Sequence, residues 1–160
     1  LDALIARTAA TRLVVLGDFL HAAAGRVPAL HAAFTHWRAA HAALSITLVR
    51  GNHDVSAGDP PRAWDIAVVP DPHPLAPFVL CHEPAKPRTG HALCGHLHPG
   101  VRIAGGAHES LRLPCFVLGR RRTLLPAFGR LTGLAMVAPN PGETIVAIAG
   151  FRLFALPNPH

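Results

Sequence analysis

The sequence predicts an α/β fold in which short apolar strands alternate with helices. Half of the 160 residues are apolar, which is enough to bury a core in a chain of one-domain length. In the first third of the chain, segments with helical spacing of apolar residues alternate with short apolar runs. This alternation favours layers of helix and sheet over a helical bundle or an all-β sandwich. We therefore expect a single domain over residues 1–160.

Two helices and two strands are expected in that first third, in alternating order. The patterns predict a helix over 2–10, a strand over 12–16, a helix over 28–44 and a strand over 45–49. Pro28 suits the first turn of the second helix. Apolar and aromatic side chains at helical spacing predict one buried face on that helix, formed by Leu30, Phe34, Trp37, His41 and Leu44.

The remainder of the chain predicts mostly strands joined by loops. Proline, glycine and aspartate between 56 and 77 indicate loops around one brief strand at 66–69. Further strands are expected at 77–81, 91–94, 101–103 and 110–118, followed by an irregular section and a hairpin over 144–156 that turns near Gly150.

Composition narrows the class of protein. Gly, Pro, His or Arg interrupts every apolar run before it reaches the ~20 residues that a membrane-spanning helix needs. Three cysteines without a CxxC pair fit a reducing compartment, so we expect a cytoplasmic protein. Basic residues outnumber acidic ones by 15 to 9, which suits a phosphate-rich partner such as nucleic acid. The 12 histidines suit metal binding or proton transfer.

Four of the predicted strands lead directly into polar side chains. These side chains are Asp18, then Asn52, His53 and Asp54, then His82, then His96 and His98. Open α/β sheets place ligand sites beyond the carboxyl ends of their strands, so we expect the four clusters to converge. His96 and His98 are two residues apart, and in an extended segment they would project from the same side.

The donor types in these clusters predict metal-dependent phosphoryl chemistry. Nitrogen and oxygen ligands without thiolates suit Mn²⁺, Fe²⁺ or Zn²⁺ rather than a structural zinc site. Two such ions can clamp the attacking and leaving oxygens of a phosphoryl group. His53 would act as general acid, and Asp54 would orient its ring.

The same clusters resemble the motifs of the calcineurin-like metallophosphoesterases. The matching segments are Gly17-Asp18-Phe19-Leu20-His21, Gly51-Asn52-His53-Asp54, the strand-terminal His82, and Gly95-His96-Leu97-His98. Other segments are similar to the bacterial ligase-associated DNA damage response endonucleases of the PdeM family, namely 81–84, 113–116, 125–129 and 132–133. The resemblance implies a two-sheet α/β sandwich flanked by helices. It also implies phosphodiester hydrolysis with two divalent ions, Mn²⁺ above all, beside a DNA ligase and a helicase in repair.

The resemblance also implies a role for each matching residue. Asp18 would bridge both ions, Asn52, His82 and His96 would complete the shell of one, and His98 would bind the other. His53 would protonate the leaving group, and His21 would lie near the substrate. Family members begin with an Asp-x-His motif on a first strand, and none occurs before Gly17. We therefore expect a fragment without the first strand, with an incomplete first metal site and impaired activity.

Alternatives stay open for the function and for several residues. A small-molecule phosphoesterase acting on a nucleotide or a lipid-linked sugar phosphate would use the same ligands, and a non-catalytic nucleic-acid-binding remnant could keep the fold. Arg120, Arg121 and Arg122 either contact a phosphate backbone or form a solvated turn. Trp64, in a predicted loop, could stack on a base.

Overall fold

The computed structural model describes residues 1–20, 27–104, 110–129 and 132–157. These residues form two sheets with a few helices, so the predicted mixed α/β class is confirmed. The chain divides into two compact units, Leu1–His73 and Pro74–His160. Among the described helices, none has the length and the apolar character that crossing a membrane requires.

The first unit contains a parallel three-stranded sheet in the order β1-β2-β3. Its elements are α1 (Asp2–Thr8), β1 (Arg12–Val15), α2 (Pro28–Ala40), β2 (Ser45–Val49), α3 (Asn52–Ala57), a 3₁₀ turn (Arg62–Trp64) and β3 (Ile66–Val69). Arg12 pairs with Ser45, and Ile46 pairs with Ile66. Because the strands are parallel, the segments that follow them emerge at one edge of the sheet.

The predicted apolar face of α2 is only partly buried. The helix ends at Ala40, four residues before the predicted end, and Leu30 is exposed. Arg38 is the buried residue of this helix, and its guanidinium contacts Asp65 at 2.9 Å and donates to the Trp64 carbonyl at 3.0 Å. The Trp64 ring packs on Phe34, with ring centroids 4.4 Å apart, and it is buried. Trp64 is therefore a core residue and not an exposed stacking platform.

The second sheet has nine strands. They are β4 (His73–Leu75), β5 (Phe78–Cys81), β6 (His91–Cys94), β7 (Pro99–Ala104), β8 (Ser110–Leu118), β9 (Arg122–Leu124), β10 (Ala135–Met136), β11 (Thr144–Ala149) and β12 (Arg152–Ala155). The order is β10-β7-β8-β9-β6-β5-β4, and β11 pairs with β8 and with β12. Strands β5, β6 and β9 are mutually parallel. The three cysteines lie in the core of this unit and are fully buried.

Most predicted strands are confirmed, whereas the shortest elements were missed. The predicted bounds of β2, β3, β6 and β8 agree with the structure, and the C-terminal hairpin turns at Gly150, whose φ is +58°. Strands β4, β9 and β10 and helix α3 were not predicted. Each has six residues or fewer, which is too short for a periodic pattern, and the strands among them depend on pairing with a neighbour.

Candidate metal centre

Asp18 lies in a strained loop directly after β1. The backbone φ is +87° at Gly17 and +54° at Asp18, and this left-handed region is unfavourable for residues other than glycine. The Asp18 N–H donates to Oδ2 of Asp54 at 2.7 Å. This bond helps to hold Asp18 in a conformation that its own backbone disfavours.

Asp54 organises the loop that carries Asp18. Its side chain is buried, and Oδ2 also accepts the N–H of Gly51 at 2.9 Å while Oδ1 accepts the N–H of Leu20 at 3.1 Å. With the bond from Asp18, three backbone donors from two segments converge on one carboxylate. This task differs from the orientation of the His53 ring, which stays a prediction.

Gly51 allows the two segments to approach closely. A Cβ atom at this residue would lie 2.4 Å from Oδ1 of Asp18 and 2.5 Å from the Asp18 nitrogen. In the opposite direction, the N–H of His53 donates to Oδ1 of Asp18 at 3.1 Å. Hydrogen bonds in both directions therefore connect the Asp18 loop with the first turn of α3. We call this arrangement of Asp18, Gly51, His53 and Asp54 the aspartate clasp. Asn52 is exposed beside it.

His82 and His96 meet at the ends of two parallel strands. Cys81 of β5 is in register with Cys94 of β6, and His82 and Gly95-His96 follow these residues. Nε2 of His82 lies 3.0 Å from Nδ1 of His96. Two nitrogens bound to one cation at about 2.1 Å, on bonds nearly at right angles, would be about 3 Å apart. This ring pair therefore suits two neighbouring ligands of a single divalent ion.

The segment from His96 to His98 differs from the prediction. Both residues have positive φ, +63° and +48°, so the prediction that this segment is extended is wrong. The His98 carbonyl accepts the N–H of Ala135 at 3.1 Å. The assignment of His98 as a metal ligand stays a prediction.

The remaining predicted residues have varied positions. His21 lies outside the described residues. Arg120, Arg121 and Arg122 lie at the amino end of β9, whereas His96 follows the carboxyl end of the neighbouring parallel strand β6. Arg122 pairs with Glu143 at 2.9 Å, so this arginine is engaged within its own unit.

Glu143 is ionised more readily than an ordinary glutamate. Burial alone would raise the pKa of this carboxyl. The backbone and side chain of Asn140 donate hydrogen bonds to it, and Arg122 adds a hydrogen bond and a positive charge. Together these interactions outweigh burial and hold the pKa below its usual value. The pair therefore stabilises the fold of the second unit.

Sequence reasoning missed the task of Asp54 and the crowding at Gly51. One signal was available. In Gly51-Asn52-His53-Asp54 the acidic residue stands three positions after the residue that precedes the helix, which is half of a capping box. The burial of Arg38 had no such signal, because it depends on Asp65 from a distant segment.

A mixed α/β fold with carboxylate and imidazole side chains at its strand ends defines a candidate metal-dependent protein. No family model matches the chain, and no curated protein matches it. Among solved structures, it is similar to the Pseudomonas putida nuclease MPE, with 42% identity and a TM-score of 0.86 over 97% of this chain and 74% of that chain. At this identity and coverage, the chain belongs to the family of that nuclease.

Proposed function

We propose that the chain hydrolyses phosphodiester bonds in nucleic acid as a metallophosphoesterase, acting as an endonuclease. The observation that carries this proposal is the 42% identity to a nuclease over 97% of the chain. The strand-end side chains support it, because carboxylate, amide and imidazole donors are those of a phosphoryl-transfer metal site.

In this proposal, Asp18, Asn52, His82 and His96 hold one divalent ion, and Asp18 and His98 contribute to a second. The donor set fits such an ion, since two ring nitrogens already face each other at 3.0 Å. Mixed nitrogen and oxygen donors suit Mn²⁺, Fe²⁺ or Zn²⁺, and the resemblance to the metallophosphoesterases favours Mn²⁺ among them. When bound, the ions supply an activated water at neutral pH and stabilise charge on the phosphoryl oxygens.

His53 is the proposed proton donor to the leaving oxygen. The residue lies in the first turn of α3 and is half-buried. Its backbone N–H is fixed on the Asp18 carboxylate at 3.1 Å. A positioned imidazole suits proton transfer at neutral pH. His21 is proposed to lie near the substrate.

The physiological context is proposed to be DNA repair beside a DNA ligase and a helicase. This part of the proposal rests on the similarity of the segments at 81–84, 113–116 and 125–129 to the ligase-associated endonucleases. Co-purification of the tagged chain with a ligase and a helicase from its own host would support that context.

The test of the proposed function compares two substrates. The 160-residue chain is incubated with MnCl₂ and either bis-p-nitrophenyl phosphate or a fluorescent oligonucleotide. Hydrolysis of both supports the proposal, and His53→Ala should slow oligonucleotide cleavage by about 10²- to 10⁴-fold. His36→Ala, on the exposed side of α2, is the matched control and should retain the wild-type rate.

Other outcomes identify the alternatives. Cleavage of nucleotides or small diesters without cleavage of the oligonucleotide would indicate a small-molecule phosphoesterase. Binding of the oligonucleotide without hydrolysis of either substrate, at any concentration of Mn²⁺, would indicate a non-catalytic remnant and contradict the proposal.

A further inference from the structure

Two arginines stand directly opposite each other on strands β7 and β8. Arg102 and Arg112 are register partners in this antiparallel pair, and both are exposed. Like charges in directly opposed positions destabilise a sheet. Within the described part of the chain, the ion pairs that arginines form belong to Arg38, Arg50 and Arg122. The pair thus concentrates positive charge on one surface without a described carboxylate to balance it.

Arg112 lies close to the segment that carries the candidate ligand His98. Nη2 of Arg112 donates to the Leu134 carbonyl at 3.4 Å, and the N–H of the next residue, Ala135, donates to the His98 carbonyl at 3.1 Å. A single peptide group therefore separates the guanidinium from the His98 backbone. The lengths of these two bonds and of the peptide group between them place Nη2 of Arg112 at most about 9 Å from the carbonyl oxygen of His98.

The other cluster of arginines is differently placed. Arg120 and Arg121 precede β9, at the opposite end from the residues that lead toward His96. Arg121 donates to the Pro87 carbonyl, and Arg122 is paired with Glu143. The cationic surface beside His98 is therefore formed by Arg102 and Arg112.

We propose that Arg102 and Arg112 together bind a backbone phosphate of nucleic acid next to the phosphate that is cleaved. An anion between the two guanidinium groups would relieve their repulsion, and the planar fork of arginine matches phosphate oxygens. The hydrogen bond from Arg112 to the Leu134 carbonyl places this guanidinium beside the segment that holds the His98 backbone. This inference rests on the proposed function, because it assigns a second phosphate of the same substrate.

The first test measures binding without catalysis. A fluorescein-labelled single-stranded oligonucleotide is titrated with the 160-residue chain in metal-free buffer at several salt concentrations, and anisotropy gives the affinity. The variants are R102Q/R112Q and R120Q/R121Q. Each of them loses two positive charges, but from a different part of the surface. Each phosphate contact contributes about 0.7 to the slope of log affinity against log salt for a single strand. Because the pair binds one phosphate, the first variant should lose about 0.7 of this slope, and the second should keep the wild-type slope.

The second test separates the inference from the proposed function. Bis-p-nitrophenyl phosphate has a single phosphate, so R102Q/R112Q should hydrolyse it with the wild-type kcat/KM. On an oligonucleotide the same variant should show a KM raised about tenfold, while kcat changes little. If the wild-type chain hydrolyses neither substrate, the proposed function fails. The salt dependence of oligonucleotide binding still tests whether Arg102 and Arg112 bind a phosphate.

Thermal unfolding provides a readout that does not depend on nucleic acid. Removing two opposed charges should leave the Tm of R102Q/R112Q at or above the wild-type value, because repulsion is lost. An unchanged salt slope in R102Q/R112Q, an equal loss in R120Q/R121Q, or no oligonucleotide binding by the wild type would each overturn the inference.

Discussion

Nδ1 of His96 lies 3.0 Å from Nε2 of His82, at the point where β5 and β6 end. Without a cation, one ring must donate a proton to the other, since two imidazole nitrogens cannot both act as acceptors in one contact. A divalent ion would take the place of that shared proton. His82 is buried, so its ring depends on this partner more than an exposed histidine would.

Replacing either histidine should therefore weaken metal binding. We expect His96→Ala to lower the affinity for Mn²⁺ by about 100-fold or more. Loss of a residue that only hydrogen-bonds to a metal ligand already costs about 10- to 100-fold, and loss of a ligand itself should cost more. Titration calorimetry measures the affinity. His91→Ala is the matched control, since His91 lies at the other end of β6, where its ring contacts Thr123 at 2.9 Å.

The two histidines should also act as one unit. In a double-mutant cycle, His82→Ala combined with His96→Ala should cost little more metal affinity than either change alone. Additive losses would mean that the two rings do not share an ion.

Asp54→Asn tests the aspartate clasp. The amide keeps one acceptor oxygen but turns a donor group toward backbone N–H groups, so we expect a loss of about 1–3 kcal/mol in the free energy of unfolding. Metal affinity should fall by about 10- to 100-fold, because Asp18 loses its support. Urea denaturation and calorimetry measure the two effects. Asp59→Asn, in an exposed pair with Arg50, should change stability by less than about 0.5 kcal/mol.

Gly51→Ala tests the same clasp from the backbone side. A methyl group would overlap Asp18, so we expect destabilisation of about 1–3 kcal/mol in urea denaturation. Gly133→Ala introduces the same methyl group where nothing lies within 4 Å, and it should be close to neutral. Equal stability of the two variants would show that the segments separate at little cost.

The Arg122–Glu143 pair should make stability depend on pH. Because the folded pKa of Glu143 lies below its unfolded value, the stabilisation is complete above the ordinary carboxyl range. It disappears as pH falls through the folded pKa. Wild type should thus exceed Glu143→Gln in unfolding free energy at pH 7, and the difference should shrink toward pH 3. A difference that stays constant over this range would contradict the assignment.

The buried thiol of Cys115 should be chemically inert in the folded protein. Burial raises its pKa to about 11, which leaves little thiolate at pH 8. Alkylation by iodoacetamide, followed by mass spectrometry, should therefore proceed at the rate of unfolding. Rapid modification under native conditions would show that the core around Cys115 opens.

Sequence patterns located the elements that bury continuous apolar runs. Strands β2, β6 and β8 have the predicted bounds because their own residues fill the sheet cores. Helix α3 was missed because Gly51-Asn52 favours a turn in isolation, and only the distant Asp18 loop makes a helix start favourable there. The segment from His96 to His98 was predicted to be extended, whereas both histidines have positive φ. Local sequence does not reveal positive φ at residues other than glycine.

The aspartate clasp links two segments that lie more than 30 residues apart in sequence. Each carboxylate accepts a backbone N–H from the segment that carries the other, so neither segment can loosen while the other stays in place. The amide protons of Asp18, Leu20, Gly51 and His53 should accordingly exchange with solvent through one shared opening event, at one common rate of opening. The loop after β1 and the start of α3 thus form a single cooperative unit of local unfolding.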